Sequence, residues 1–400
     1  MTQSSSLTFV KSPAATARLA GYYVALGGVG LTSAALGPTL SDLAAQTHST
    51  LSAISVLFAA KSFGYLAGSL LAGRLYDRVR GHPVMALAIL ATAVSIMAVP
   101  FLPWLWLLVV VVTALGVVEA TTDVGTNTLV VWAYGDEAGS YMNGLHFAFG
   151  VGAFLSPLIV AQIMAQGGGL VWTYWALALL VLPPAFWLAR LSSPQSRAAA
   201  QASQTGPVKH RLVALFVVCF FSYVGAEVSF GSWVFTYANR LGLANATTAA
   251  YLTSAFWGAL TAGRLLAIPI AARFRPRTIM AMNLAGCLVS VGLALAFPRS
   301  ALALWISAIG TGLSMASIFP TLMNLAGRRL PLSGQITSLF FVGSSLGAMF
   351  WPWLIGQFFE PVGPHMAMAL TFIALLLDVV VFTLLMIFAP RPGAPDAHSQ

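Results

Sequence analysis

The stretch Gly152-Ala-Phe-Leu-Ser-Pro157 returns 195 residues later as Gly347-Ala-Met-Phe-Trp-Pro352. Each copy lies inside a long apolar run. Nearly the same offset links Gly30 with Gly225 (195), Gly64 with Gly258 (194) and Pro83 with Pro276 (193). One glycine match carries no information, but agreement across four pairs of runs points to a chain built twice in the same orientation. Parallel repeats of this kind are related by an axis along the membrane normal.

Composition sets the medium. Of the 400 residues 58% are hydrophobic and only 7% charged, against about 25% charged in soluble domains. Apolar runs of about 20 residues, the length that crosses a hydrocarbon core, recur from end to end. In lipid each must be helical, because a helix satisfies its own backbone hydrogen bonds. The runs predict spans at 18–41, 50–73, 83–101, 104–133, 141–166 and 170–190, then 211–239, 247–271, 277–297, 301–326, 334–358 and 364–389. The polar stretch Ser192 to Lys209 divides them six and six. The expected fold is an all-α polytopic membrane protein with 12 transmembrane helices in two pseudo-symmetric six-helix bundles. Residues 1–191 form the first bundle, 192–210 a cytoplasmic linker and 211–400 the second bundle. Met1 to Ala17 is polar and lacks an apolar region of its own, so the first run reads as a retained helix rather than a cleaved signal.

The formal net charge of +9 is distributed by loop. With both termini inside, 15 of the 19 Lys and Arg residues, from Lys11 through Arg197 and Lys209 to Arg391, fall on the cytoplasmic side. Only Arg240 and Arg299 lie outside, and Lys61 and Arg264 fall within spans. That is the positive-inside pattern rather than a nucleic-acid footprint. It predicts a multi-pass protein of a bacterial inner (plasma) membrane with both termini cytoplasmic. Cys219 and Cys287 sit inside apolar runs and suggest neither a disulfide framework nor a metal site. No Walker loop is present, so ATP is not the expected energy source.

Ionisable side chains at membrane depth are costly and are functional candidates by default. The fourth span carries Glu119, Asp123 and Asn127 at i, i+4 and i+8, on one helical face. Asp123 lies about 6 Å nearer the cytoplasm than Glu119 at 1.5 Å per residue. Two carboxylates this close in low dielectric do not both ionise easily, and a carboxyl that meets water from alternate sides is a proton-coupling device. The competing reading is neutralisation by a basic neighbour, for which Lys61 at mid-depth of the second span is the expected partner. Glu227 and Arg264 form a structural pair in the second half or bind solute. Asn143 and His146, at i, i+3 on the fifth span, border the expected cavity. Asp378, in the peripheral twelfth span, reads as an interhelical hydrogen bond. Trp104, Trp106, Trp172, Trp175 and Trp305 lie near span ends as interface anchors. Trp233, Trp257 and Trp351 lie deeper, where a flat aromatic face suits either packing or a sugar ring. Gly343-Ser344-Ser345-Leu346-Gly347 matches a hydrolase pattern, but that elbow needs a strand–turn–helix context, and here it falls inside a span. Asn245-Ala-Thr247 is a glycosylation sequon in an outside loop.

The loop after the second span reads Gly73-Arg-Leu-Tyr-Asp77-Arg78-Val-Arg80-Gly-His-Pro. It resembles the signature G-x-L-x-D-R-x-G-R of the major facilitator superfamily, with glycine and basic residue exchanged at Arg80-Gly81. In this reading Gly73 permits close helix contact, while Asp77 pairs with Arg78, Arg80 and other arginines nearby to latch the cytoplasmic side. Within that superfamily Asp123-Val-Gly-Thr-Asn127, Tyr223-Val-Gly-Ala-Glu227-Val, Ser317-Ile-Phe-Pro320-Thr and Gly263-Arg264 resemble elements of the fucose/proton symporters. Leu145-His146-Phe147, with Gly150 and Gly152, is similar to the sodium-dependent glucose transporter branch. The resemblance implies secondary, non-enzymatic uptake of a sugar-like small solute by alternating access in the lipid bilayer, by a monomer without a cofactor beyond a coupling proton or sodium ion. Asp123, with Glu119, takes the coupling role. Asn127, Asn143, His146, Glu227, Trp257 and Trp351 lie near solute, and Lys61 and Arg264 are charge partners. One departure stands out: the fucose symporters carry a second acid in the first span four residues before a proline, and here Ala34 precedes Pro38. Either Glu119 substitutes, or stoichiometry or ion differs. Competing readings are proton-driven efflux of an amphiphilic compound, a non-transporting membrane sensor and an intramembrane hydrolase.

Overall fold

The computed structural model describes residues 13–194, 210–330 and 334–388. Lys11, Arg197, Lys209 and Arg391, and most of the expected linker, lie outside the described residues. Among the described residues every regular element is helical. The first span is a pair, α1 (Pro13–Ser33) and α2 (Leu36–Gln46), bent by 47°. The second joins α3 (Leu51–Ile54) to α4 (Val56–Arg78). There follow α5 (Gly81–Ala98), α6 (Leu105–Tyr134), α7 (Ala138–Ala165) and a sixth span of α8 (Leu170–Val181) and α9 (Pro183–Ala189). The second half comprises α10 (His210–Arg240), α11 (Ala246–Arg273), α12 (Pro276–Ala296), α13 (Ala301–Met315) with α14 (Ile318–Gly327), α15 (Gly334–Phe359) and α16 (Met366–Phe388). By length and composition eleven spans can cross a bilayer, and the bent first pair makes twelve.

The apolar runs mark the membrane-embedded part of each span but not its ends. Helix continues through Arg74-Leu-Tyr-Asp77-Arg78 to the end of α4, five residues past the expected boundary, because polar residues at the water interface keep a helix without adding hydropathy. Two internal breaks have a common cause. A proline ring clashes with the carbonyl four residues earlier and donates no hydrogen bond. Ala34 lies four residues before Pro38, and Ala316 four before Pro320; the breaks between α1 and α2 and between α13 and α14 fall at these residues. The outside loop ends in a capped helix start: Asn245 Oδ1 accepts from Thr248 N at 2.8 Å, so the sequon asparagine serves as the N-cap of α11.

The repeat is carried by backbone contact. A Cβ on Gly152 of α7 would lie 1.9 Å from the Gly27 oxygen of α1, and one on Gly30 2.0 Å from the Phe149 oxygen. The counterpart Gly347 on α15 would stand 2.0 Å from the Phe221 oxygen of α10. Gly64 and Gly116 bring α4 and α6 equally close. Gly258 is not the functional twin of Gly64: its missing Cβ faces Phe154 across the two halves, at 2.8 Å, whereas Gly312 supplies the tight contact of α13 with α11.

One face of the molecule is closed. Near the ends of α3 and α15, Ser52 Oγ donates to Gln357 Oε1 at 2.8 Å, Leu51 N to Glu360 Oε2 at 3.1 Å, and Gln357 Nε2 to Ser55 Oγ at 3.2 Å. Trp233, fully buried, donates to the Pro352 oxygen at 3.0 Å and lies against Phe58 and Phe359; it is part of this seal. The opposite face, which carries the basic loops, holds a cavity of about 480 Å³ lined by Asn143 of α7, Arg264 and Arg273 of α11, and Ser317, Asn324 and Arg328 beyond the second break. At that face Asp77, Arg78 and Arg80 are exposed, and Asp77 makes no ion pair with a described residue. Nor does Gly73 permit a close contact, since a Cβ there would meet nothing within 4 Å. The end of α4 is held to α6 on its other side, where the buried Tyr76 hydroxyl donates to the Thr121 oxygen at 2.9 Å; the close glycine is Gly81, whose missing Cβ faces Leu129 at 2.6 Å.

Two outcomes follow from this architecture. Gly152→Ala forces α1 and α7 apart and lowers stability by about 3 kcal/mol, while Gly139→Ala, where a Cβ meets nothing, is neutral or slightly stabilising; thermal unfolding in detergent separates them. If Asp77 latches the basic face in the alternate state, Asp77→Asn removes a charge-assisted bond worth about 1.5–3 kcal/mol from that state only. Cysteines at Asn143 and Asn324 should then crosslink less, and cysteines at Ser52 and Gln357 more, than in the parent. Unchanged crosslinking at both faces would make Asp77 an ordinary surface charge.

Candidate functional site

Close approach of α4 and α6 at Gly64 and Gly116 places two layers of polar side chains across their interface. In the upper layer Lys61 Nζ lies 3.1 Å from Glu119 Oε2 and 3.3 Å from the Thr32 oxygen. Ser33 Oγ donates to Glu119 Oε2 at 3.4 Å. Glu119 is fully buried and Lys61 is 14% exposed. The pair therefore sits at the break in the first span, and Glu119 reaches from α6 to the neighbour of Ala34. Removing one member of a buried pair of this kind costs about 3–5 kcal/mol, because the other charge is left alone.

One helical turn nearer the basic face, the Tyr65 hydroxyl donates to Asp123 Oδ2. Asn127 Nδ2 donates to Asp123 Oδ1 at 2.7 Å and to the Asp123 carbonyl at 2.9 Å. Both carboxylate oxygens of the half-buried Asp123 are thus met by donors. A protonated carboxyl has a proton of its own to place: on Oδ1 it turns out the Asn127 amide nitrogen, which cannot accept, while on Oδ2 it reverses the bond and donates to the Tyr65 oxygen. Asp123 and His146 of α7 lie within electrostatic reach of each other. His146 and Asn143 are exposed on the cavity side of α7.

The second half supplies the opposite wall. Arg264 Nη1 donates to the His146 carbonyl at 3.0 Å, tying α11 to α7 across the halves. Arg264 interacts electrostatically with Glu227 but forms no ion pair with it. The Tyr223 hydroxyl, one helical turn from Glu227 on α10, donates to its carboxylate and lies 3.1 Å from the Met315 oxygen at the second helix break. At that break Asn283 Nδ2 donates to Ser317 Oγ at 2.7 Å. The indole nitrogens of Trp257 and Trp351 are buried and meet no hydrogen-bond partner among the described residues. Trp351 covers Gly225 and lies against Phe221.

Asp378 of α16 is fully buried, and its hydrogen-bonding neighbour is the Cys219 thiol of α10, a weak donor across the helices; no nitrogen or oxygen donor meets its carboxyl. Ser344 bonds back to the Phe340 oxygen at 3.0 Å inside α15, with no elbow around it. Tyr65 and Tyr223 hold Asp123 and Glu227; Tyr65 carries no sequence motif, and Tyr223 enters only as part of the element that ends in Glu227-Val. The available signal was spacing: Tyr65 follows Lys61 by four residues and Tyr223 precedes Glu227 by four, each on a polar helical face.

The sequence profile of the Major Facilitator Superfamily matches residues 22–352. The chain is 30% identical to mouse sodium-dependent glucose transporter 1A over 372 residues, 84% of this chain and 88% of that protein. It is 32% identical to sodium-dependent glucose transporter 1 of Xenopus laevis over 353 residues, 81% of this chain and 72% of that protein. Among solved structures, a D-xylose-proton symporter superposes with a TM-score of 0.76 at 16% identity, covering 94% of this chain and 98% of that one. A point mutant of the nucleoside transporter NupG superposes with a TM-score of 0.75 at 14% identity, covering 93% and 99%. These two share the fold. Matched over most of its length and folded as two repeats of six spans, the chain is a multi-pass membrane transporter of the Major Facilitator Superfamily.

Proposed function

We propose that this transporter takes up a monosaccharide or a similar small polar solute, coupled to a monovalent cation, proton or sodium, at Asp123. The observation that carries the reading is the Tyr65–Asp123–Asn127 cluster. It is a carboxylate held by neutral donors, beside a cavity to which both halves contribute. Relatives named sodium-dependent glucose transporters, about 30% identical over most of the chain, support the sugar-like solute. Efflux of an amphiphile gains no support from them.

In this reading Asn127, Asn143, His146 and Glu227 offer hydrogen bonds to solute hydroxyls, and the unpartnered indole donors of Trp257 and Trp351 face solute in one of the two alternating states. The basic face is cytoplasmic, both termini lie there, the membrane is a bacterial inner membrane, and the conformation described is inward-facing. Each chain carries both walls of the cavity, so the monomer is the working unit.

Reconstitution into proteoliposomes tests this directly. Counterflow with a panel of sugars identifies the solute class, and independent pH and sodium gradients identify the ion. Asp123→Asn, near-isosteric but untitratable, should lower gradient-driven accumulation to equilibration with the bath while leaving counterflow. Gradient-driven accumulation by Asp123→Asn at the parent level would sink the coupling role, and absence of counterflow with every sugar would sink the solute class.

A further inference from the structure

We propose that the break in the first span forms a cation site which the chain fills permanently with its own Lys61 ammonium, and that sodium occupies this site once Lys61 is removed. The ligands around Lys61 Nζ are those that a small hard cation takes. The Thr32 carbonyl, at 3.3 Å, belongs to the last turn of α1, where carbonyls lack helical partners and the helix dipole is negative. The Glu119 carboxylate, at 3.1 Å, supplies the full charge, and the Ser33 hydroxyl lies against the same carboxylate oxygen. Broken helices whose freed carbonyls meet a carboxylate are the usual way a membrane interior holds a monovalent ion.

Two further features point to a site with spare capacity. Glu119 is 0% exposed, yet its second oxygen, Oε1, meets no hydrogen-bond partner. Beside Lys61 and Thr32 lies a small cavity of about 20 Å³ whose other walls are mainly apolar. Truncating Lys61 frees the volume of its own side chain, at the end of which the Thr32 carbonyl and the Glu119 carboxylate remain. A tethered side chain cannot leave the pocket as a free metal ion does. The pocket therefore carries charge without exchanging an ion, and ion exchange is left to Asp123, where the donors are neutral.

The test compares the full-length chain with Lys61→Ala and with Lys61→Ala/Glu119→Gln, all in an Asp123→Asn background so that cation binding at the coupling residue does not contribute. Thermal unfolding in detergent is followed as sodium chloride replaces N-methylglucamine chloride at constant ionic strength. The expected result is a saturable, sodium-specific rise of several degrees in the Lys61→Ala midpoint, absent from both the Lys61-containing chain and the double variant. Folding of Lys61→Ala in sodium but not in N-methylglucamine would be the same result in stronger form. A folded Lys61→Ala that ignores sodium overturns the proposal. So does one that fails to fold in either salt while Lys61→Met/Glu119→Gln folds, since the pair is then only structural. A sodium response that persists in the double variant, or that the Lys61-containing chain already shows, also overturns it. Because transport is not read, failure here leaves the proposed solute and the role of Asp123 untouched.

Discussion

A bilayer offers no hydrogen-bond partners, so an acid that the spans carry inward needs a partner from the same chain or from a water-filled cavity. The polar interior of this protein is arranged around that constraint. Glu119 answers it with Lys61 and the freed end of α1, Asp123 with Tyr65 and Asn127, and Glu227 with Tyr223. The Glu119–Lys61 and Asp123–Tyr65 contacts depend on α4 and α6 approaching to backbone contact, and Gly64 and Gly116 sit where these helices meet. A larger residue at either would part the helices and leave the partners out of reach.

The carboxylates of α6 differ in freedom, although one helical turn separates them. Glu119 is held by an ion, and separating it from its partner costs about 3–5 kcal/mol. Asp123 is held by a phenol and an amide; each such bond to a charged group contributes about 1.5–3 kcal/mol, and either can be released alone. A group that must change partners during a cycle belongs in the second setting, and one that must stay put in the first. His146 lies within electrostatic reach of Asp123, and its carbonyl takes the Arg264 hydrogen bond that ties α11 to α7 across the halves.

The faces of the molecule are built from unlike chemistry. The closed face is sealed mainly by short, mostly neutral contacts of Ser52, Ser55, Gln357 and Trp233, each of which exchanges readily with water when the face opens. The open face carries exposed charge, Asp77 and the arginines around it among them. The two faces therefore differ in what meets water: neutral groups are sealed away on one, and charges are presented to solvent on the other.

Much of this was determined by the sequence alone. The length of the apolar runs and the 195-residue offset dictate twelve helices in two parallel sets, because lipid permits no other backbone and duplication keeps its register. The i, i+4, i+8 spacing of Glu119, Asp123 and Asn127 places them on one face whatever surrounds it, and Lys61 at mid-depth demands an acid nearby. Tertiary structure alone decided which acid Lys61 takes. It brought Thr32 and Ser33 to that pair through a break that Pro38 imposes, and it gave Asp123 to Tyr65. Among the described residues it left Gly73 without a close helix contact and Asp77 without an ion pair. These are meetings between distant parts of the chain, fixed by how closely helices approach and which face is open, and no periodicity within a single span encodes them.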